Sequence, residues 1–150
     1  MLNSLKDFFK QNLFDNNESP YNGPSRSVEL AAAVLMVEIS LADSNLDEEE
    51  RLLITMTLQD EFRLTSEEAL EIFSLAEKES DRAVSLHEFT RLINDSMSAE
   101  DKIRILEILW KVAFADSVLD KYEEYYVRKI ADLLYISHKD YIRAKLKSMQ

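Results

Sequence analysis

The stretch that decides the fold reads ADSNLDEEE at residues 42–50, and a close copy of it, ADSVLDKYE, occupies residues 115–123. Ala, Asp, Ser, Leu, Asp and Glu recur in the same order, so that Asp43 and Asp116 stand 73 residues apart. Internal similarity at a fixed offset predicts that one structural unit occurs twice in the chain. We call the two stretches the first and the second acidic corner.

The similarity continues beyond the corners. Residues 62–65 correspond to residues 134–137 after a gap of one residue. Each copy is therefore predicted to contain a helix, an acidic corner, a second helix, a short turn and a third helix. The segment from Ser85 to Ile93 belongs to neither copy and is predicted to form a helix between them. The sequence thus predicts two related three-helix units around a central helix.

Capping signals and apolar spacing predict that residues 25–150 are helical throughout. Six polar residues each precede an acidic residue by three positions, as in a capping box. The pairs are Asp47 with Glu50, Thr65 with Glu68, Ser85 with Glu88, Ser98 with Asp101, Asp120 with Glu123, and Ser137 with Asp140. Apolar residues between these signals recur at helical spacing, and two of the predicted inward stripes are Leu53, Met56, Leu58 and Phe62, and Leu70, Ile72, Phe73 and Leu75. With a helix opening near Ser25 or Ser27, we expect an all-α bundle of about seven helices.

Residues 1–24 form a separate region in the sequence. Leu2, Leu5, Phe9 and Leu13 recur at helical spacing and predict an N-terminal amphipathic helix. Residues 15–24, which hold the only glycine and both prolines of the chain, predict a linker. Because this helix has few basic residues, we expect it to pack on its own protein rather than on a membrane surface. Residues 25–150 are predicted to form one helical domain.

Composition excludes several classes of function. The formal net charge of -11 disfavours nucleic acid and anionic lipid as partners. A single glycine leaves no Gly-rich phosphate loop and no nucleophile elbow. The absence of cysteine and the presence of only two histidines exclude thiolate and imidazole metal centres. The chain has no long apolar run and no signal-peptide pattern at its start, so we expect a cytoplasmic protein.

The doubled pattern Ala-Asp-x-x-Leu-Asp-x-x-Glu in a small acidic helical protein resembles the tellurite-resistance TerB superfamily. The second copy, LWKVAFAD at residues 109–116, is particularly similar to small stand-alone TerB-like proteins. The resemblance covers residues 28–146. It implies an all-helical cytoplasmic fold, a link to tellurite resistance or related stress responses, and a divalent-cation site at the acidic corner, without an established enzymatic activity. The resembled family usually has Asp-Gly at this corner, where this chain has Asp43-Ser44 and Asp116-Ser117.

The acidic corners allow two interpretations. Helix capping alone explains Asp47 and Asp120 as N-caps, together with the two glutamates that follow them by three positions. It does not explain Asp43 and Asp116, because a carboxylate near the end of the preceding helix is disfavoured by the helix dipole. The alternative is that each corner binds Ca²⁺ or Mg²⁺ through oxygen ligands only. The candidate ligands are Asp43, Asp47 and Glu50 in the first corner and Asp116, Asp120 and Glu123 in the second.

Other polar and aromatic residues are weaker candidates. His87 and His138 are expected to be exposed and to have no ligand role. Trp110 is predicted to lie in the core, whereas three tyrosines of one later helix cannot all face inward and predict an aromatic partner interface. These are Tyr122, Tyr125 and Tyr126. Residues 67–81 are rich in acidic side chains and residues 139–147 in basic ones. These are either ordinary solvated surfaces or oppositely charged surfaces that bind different partners or a second copy of the chain.

Two classes of function remain. We favour a non-enzymatic stress-response or interaction module that senses a cation or holds a protein partner. The alternative is a carboxylate-based, metal-dependent hydrolytic enzyme, since paired carboxylates in a helical bundle can hold a metal that activates water. Such bundles normally carry Glu-x-x-His on inward faces, and neither histidine of this chain follows a glutamate at that spacing.

Overall fold

The computed structural model describes residue 7 and residues 26–42, 48–79, 81–114 and 121–148. These residues form seven α-helices and contain no β-strand, which confirms the predicted all-α architecture. The helices are α1 (Arg26–Ala42), α2 (Glu48–Glu61), α3 (Ser66–Glu77), α4 (Arg82–Ser96), α5 (Ala99–Phe114), α6 (Lys121–Leu133) and α7 (His138–Ser148). The predicted N-terminal helix and the linker lie outside the described residues, except for Asp7, which is helical and exposed.

Contacts along the chain define two compact units, Met1–Leu86 and His87–Gln150, with the boundary inside α4. The first unit contains α1, α2 and α3, and the second contains α5, α6 and α7. The order of elements is therefore three helices, one helix and three helices, as the internal similarity predicts.

Helix α1 is the core helix of the first unit. Its residues 31–35 are all fully buried, and Val28, Leu30, Val37 and Ile39 are buried as well. A helix that is apolar around most of its circumference belongs in a core. Helix α1 packs against α3 and α2, and α2 packs against α3. Leu58 and Phe62 supply the buried face of α2, four residues apart.

The second unit is built on α5, which packs against α7 and α6. Trp110 of α5 is fully buried, as predicted for a core residue. Its ring meets the ring of Tyr141 from α7 edge to face, with centroids 5.5 Å apart. Ile130 of α6 and Leu134 just after it are also fully buried. The core of this unit therefore combines an aromatic pair between α5 and α7 with aliphatic side chains.

The short turn of each copy contains one residue in the left-handed conformation. These residues are Arg63, with φ of 53°, and Tyr135, with φ of 59°, and they occupy corresponding positions of the repeat. After α6 the Ile136 N–H donates to the Ala131 carbonyl at 2.9 Å, as in a Schellman motif. Glycine is the usual residue at this position, and the chain uses Arg and Tyr instead. The two copies thus share a backbone conformation as well as a sequence pattern.

Three of the predicted helix starts are confirmed by hydrogen bonds. Thr65 accepts from the Glu68 N–H at 3.1 Å, and its own N–H donates to the Glu68 carboxylate at 2.9 Å, which completes a capping box. Ser98 and Ser137 each accept from the backbone N–H three residues later, at 3.2 Å. The side chains therefore satisfy backbone donors that a helix start leaves free.

The prediction that Ser85 starts a helix is wrong. Helix α4 begins at Arg82, and Asp81 accepts from the Val84 N–H at 3.2 Å in the capping role. Ser85 lies inside the helix, where its buried hydroxyl donates to the carboxylate of Glu38 at 3.3 Å. The capping pattern was present in the sequence, but a tertiary contact with a buried acid determines the role of this serine.

The predicted inward stripes are wrong at three positions. Leu53, Met56 and Leu70 are exposed by 59%, 49% and 58%. In α2 the buried face runs through Leu58, so the side chains of Leu53 and Met56, together with Leu52, lie on the opposite side of the helix. Apolar residues occur on both sides of α2, and their spacing alone does not select the side that packs.

Candidate functional site

Each acidic corner lies where the first helix of its copy is connected to the second helix of the same copy. The first lies between the end of α1 at Ala42 and the start of α2 at Glu48, and the second between Phe114 and Lys121. Four of the predicted ligands lie outside the described residues: Asp43, Asp47, Asp116 and Asp120. Glu50 and Glu123 are helical, but their side chains are not described. The cation site therefore stays a prediction.

The backbone places the two corner glutamates at equivalent positions. Glu50 is the third residue of α2, and Glu123 is the third residue of α6. This is the N3 position, where a glutamate completes a capping box and where the positive end of the helix dipole favours a carboxylate. The two copies thus have a glutamate at the same position of the helix that follows the corner.

A charged contact fixes the start of α2 immediately after Glu50. The guanidinium of Arg51 pairs with the Glu77 carboxylate at 2.7 Å and lies 5.2 Å from the centroid of the Phe73 ring. Both partners belong to the last turns of α3. An ion pair and a cation–π contact on one side chain hold the α2 end of the first corner against α3.

The second copy repeats this arrangement with the charges reversed. Glu124, at the start of α6, pairs at 2.6 Å with the ammonium of Lys145 near the end of α7. Lys145 also lies 5.3 Å from the Trp110 ring centroid. In each copy a cation therefore contacts one carboxylate and one aromatic ring, and in each it ties the second helix of the copy to the third.

Two buried carboxylates of α1 have structural partners. Glu29, which is 4% exposed, accepts from Nε and from one terminal nitrogen of Arg63, at 3.2 and 3.0 Å. Glu38 accepts from Ser85, as described above. The pairing of Glu29 with Arg63 links α1 to the left-handed turn after α2. Among the described residues, no group of three or more acidic or histidine side chains is arranged to hold a metal ion.

A cleft of about 350 Å³ lies in the second unit, between α4 and the turn that follows α6. No pattern in the sequence predicts this cleft. Its polar wall on α4 includes Arg91, Asn94 and Asp95, and its other side includes Asp132 and Tyr135. The helical spacing of Arg91, Asn94 and Asp95 indicates that they share one side of α4. The opposite wall comes from a segment about 40 positions later in the chain, and no sequence pattern links the two walls.

The two histidines are exposed, as expected. His87 lies at the same cleft, and the ring of His138 stacks on Tyr141 with centroids 5.9 Å apart. Burial raises the pKa of the Tyr141 phenol, and the negative charge of Glu124 adds to this effect. The tyrosine therefore keeps its proton under conditions in which an exposed tyrosine loses it.

The aromatic residues of the second half divide between core and surface. Tyr125 is 60% exposed and meets Tyr126 edge to face at 5.3 Å, so these two rings form an aromatic surface on α6. The side chain of Tyr122, predicted to share that surface, lies outside the described set.

Comparisons with known proteins identify one family. The family model described as tellurite resistance protein TerB matches residues 29–146. Neither the comparison with curated proteins nor the comparison with solved structures finds a match. Within the described ranges, no helix is both long and apolar enough to cross a membrane.

Proposed function

Because this chain belongs to the TerB family of tellurite-resistance proteins, we propose that it is a non-enzymatic, cytoplasmic binding module of a stress response. It binds a divalent cation, Ca²⁺ or Mg²⁺, at the two acidic corners and docks protein partners. The matched family is not known as an enzyme family, which supports binding rather than catalysis.

The observation that carries the proposal is the doubled connection of helix, acidic corner and helix. Asp43 directly follows the last residue of α1, where the negative end of the helix dipole disfavours a carboxylate. Glu50 and Glu123 lie in the first turns of α2 and α6. A cation bound between the two helix ends would offset the unfavourable interaction of Asp43 with the helix dipole. The carboxylates of both helix ends would then be ligands of the same ion.

The donor chemistry selects the class of ion. All six proposed ligands are carboxylates, and hard cations such as Ca²⁺ and Mg²⁺ prefer oxygen donors. The first corner is not an EF-hand loop, although Asp43, Asn45 and Asp47 match its first, third and fifth places. Glu48 stands where that loop needs glycine, and Ile54 stands where it needs a bidentate glutamate. The proposed geometry is therefore that of a short turn between two helices.

Isothermal titration calorimetry with Ca²⁺ and with Mg²⁺ tests the cation site. The Asp43→Asn/Asp116→Asn variant is expected to lose the binding heat of the wild type. A control variant, Glu67→Gln/Glu71→Gln, removes two exposed carboxylates of α3 and should keep that heat. It matches the change in net charge without touching a corner. Equal heats from the wild type and the corner variant would refute cation binding and leave helix capping as the role of the corners.

The partner-docking part of the proposal is supported by the apolar side of α2 that does not pack in the core. Leu52, Leu53 and Met56 are all about half exposed or more and lie on one side of the helix that begins at the first corner. Cation binding at the corner would act on the same helix. Sedimentation velocity of the wild type and of the Asp43→Asn/Asp116→Asn variant, with and without Ca²⁺, measures whether self-association depends on the cation.

A further inference from the structure

The side of α2 that faces away from the core is apolar at its centre and acidic at both ends. Leu52, Leu53 and Met56 are all about half exposed or more. Glu49 and Asp60, which are also exposed, lie about one turn before and one turn after them on the same side of the helix. We call these five residues the outer side of α2. An exposed aliphatic patch of this kind usually marks a surface that another element covers.

The second copy shows that the repeated fold does not require aliphatic residues at these positions. The equivalent positions of α6, 73 residues later, hold Tyr125, Tyr126 and Lys129. The Tyr125 ring meets the Tyr126 ring edge to face, and the Lys129 ammonium lies 5.9 Å from the Tyr126 centroid. Each of these side chains has a polar end that water can solvate. The aliphatic version occurs in the copy that directly follows residues 1–24, which makes those residues the nearest candidate for covering it.

Residues 1–14 complement the outer side of α2 in apolarity and in charge. The predicted apolar stripe runs from residue 2 to residue 13. Lys6 and Lys10 lie beside that stripe, whereas Asp7, which is helical and exposed, lies on the opposite side. A helix that turns its stripe towards α2 would therefore bring its two lysines to a surface whose flanking charges are carboxylates. Opposite charges around an apolar contact favour that pairing.

The position of α1 brings this segment within reach of the outer side of α2. Glu29, in the first turn of α1, pairs with Arg63, just after α2, so the start of α1 lies beside the end of α2. The predicted linker, residues 15–24, joins α1 near that end. Extended, the linker spans up to about 35 Å, whereas the 14 residues of α2 are about 21 Å long. The linker is therefore long enough for the segment to reach any point of the outer side.

We propose that residues 1–14 dock as a helix on the outer side of α2 of the same chain. The apolar stripe of the segment covers Leu52, Leu53 and Met56, and its lysines lie near the flanking carboxylates. Only three side chains of α2 supply the apolar contact, so docked and released forms coexist. A docked fraction of about half adds only RT ln 2 to the free energy of unfolding, so a single change such as Leu53→Ser still alters the stability little.

This inference rests on the proposed function in one respect, because the side of α2 that docks partners is also the side that residues 1–14 cover. A partner must therefore displace the segment, and its apparent affinity falls by the fraction of the protein in which the side is covered. Docking within one chain requires neither a cation nor a second copy. Failure of the cation site, or the absence of self-association, would leave it intact.

Paramagnetic relaxation enhancement in NMR tests the docking on the full chain, in buffer with EDTA. Because the chain has no cysteine, Gln11→Cys introduces a single site for a nitroxide label, on the side of the segment opposite to its stripe. We expect the label to broaden the amide signals of Leu52, Leu53 and Met56 more strongly than those of the equivalent positions of α6. The absence of broadening at α2, or equal broadening at both helices, would overturn the proposal.

A mixture of nitroxide-labelled protein with isotope-enriched protein that has no nitroxide separates docking within one chain from contact between copies. Only weak broadening is expected in the mixture, and broadening as strong as within the labelled chain would identify a second copy as the occupant and overturn the proposal.

Matched variants of the labelled protein separate apolar docking from chance proximity. Leu52→Ser/Met56→Ser is expected to reduce the broadening at Leu53 by about threefold or more, because it removes most of the apolar contact. Leu146→Ser removes an exposed leucine of α7 and should leave that broadening unchanged. Thermal melting of each variant shows whether it is folded. Equal broadening at Leu53 in all folded variants would overturn the proposal.

Discussion

Replacing Tyr135 with glycine should stabilise the protein, even though it removes the largest side chain of its turn. A residue with a Cβ atom costs about 1–2 kcal/mol in the left-handed conformation, and glycine avoids this cost. Glycine loses about 0.5–1 kcal/mol more backbone entropy on folding than alanine does. Since the Tyr135 side chain is 83% exposed, little apolar burial is lost. The net gain expected for Tyr135→Gly is about 0.5–1 kcal/mol.

The same change at the equivalent position of the first copy should have the opposite sign. Arg63→Gly gains the same conformational relief but removes both hydrogen bonds to the buried carboxylate of Glu29. Breaking a fully buried ion pair costs about 3–5 kcal/mol. The side chain of Arg63 is 42% exposed, so water screens part of the pair and the cost falls to about 1–3 kcal/mol. Arg63→Gly should therefore lower the stability by about 1–2 kcal/mol.

Urea denaturation followed by circular dichroism measures both effects against the wild type. Tyr135→Ala is the matched control, because it removes the ring and keeps the Cβ atom, and it should show no gain. In thermal unfolding each kcal/mol corresponds to roughly 2–4 °C for a chain of this size. A loss of stability in Tyr135→Gly, or an equal gain in both glycine variants, would refute the assignment of different partners to the two turns.

Two further predictions concern Tyr141 and the sides of α2. Because the pKa of Tyr141 is raised in the folded protein above its ordinary value of 10.0, the unfolded chain loses this proton first. Stability present below about pH 10 should therefore be lost as the pH rises towards the folded pKa, and Tyr141→Phe should show a smaller loss in urea titrations at pH 8 and pH 11. Leu58→Ala should cost about 2–5 kcal/mol in the same assay because Leu58 is fully buried. Leu53→Ser should change the stability by less than about 0.5 kcal/mol, and a larger cost would contradict its exposure.

The number and the order of the helices were predictable because local chemistry determines them. Thr65, Ser98 and Ser137 cap helices as predicted, since the hydrogen bonds of a cap join residues three positions apart. The 73-residue offset likewise located both corners in connections between helices. Local signals of this kind are readable without knowledge of the tertiary structure.

Features that depend on packing were not predictable. The role of Ser85 is determined by Glu38, which lies 47 residues away in sequence. The exposed position of Leu53 depends on which side of α2 meets its neighbours, and both sides carry apolar residues. The cleft joins Asn94 to Leu133, a contact across 39 positions that has no periodic signal. Sequence spacing shows which residues share one side of a helix, whereas these features depend on which helices pack against each other.

The reversed ion pairs of the two copies have a consequence for assembly during folding. Because the copies are similar, a helix of one copy could replace its counterpart against the wrong neighbour. Helix α2 on α7 would place Arg51 against Lys145, and α6 on α3 would place Glu124 against Glu77. Both mispairings bring like charges together, whereas both native pairings join opposite charges. The charge reversal thus discriminates against exchange of homologous helices, which is a hazard of any chain that contains the same unit twice.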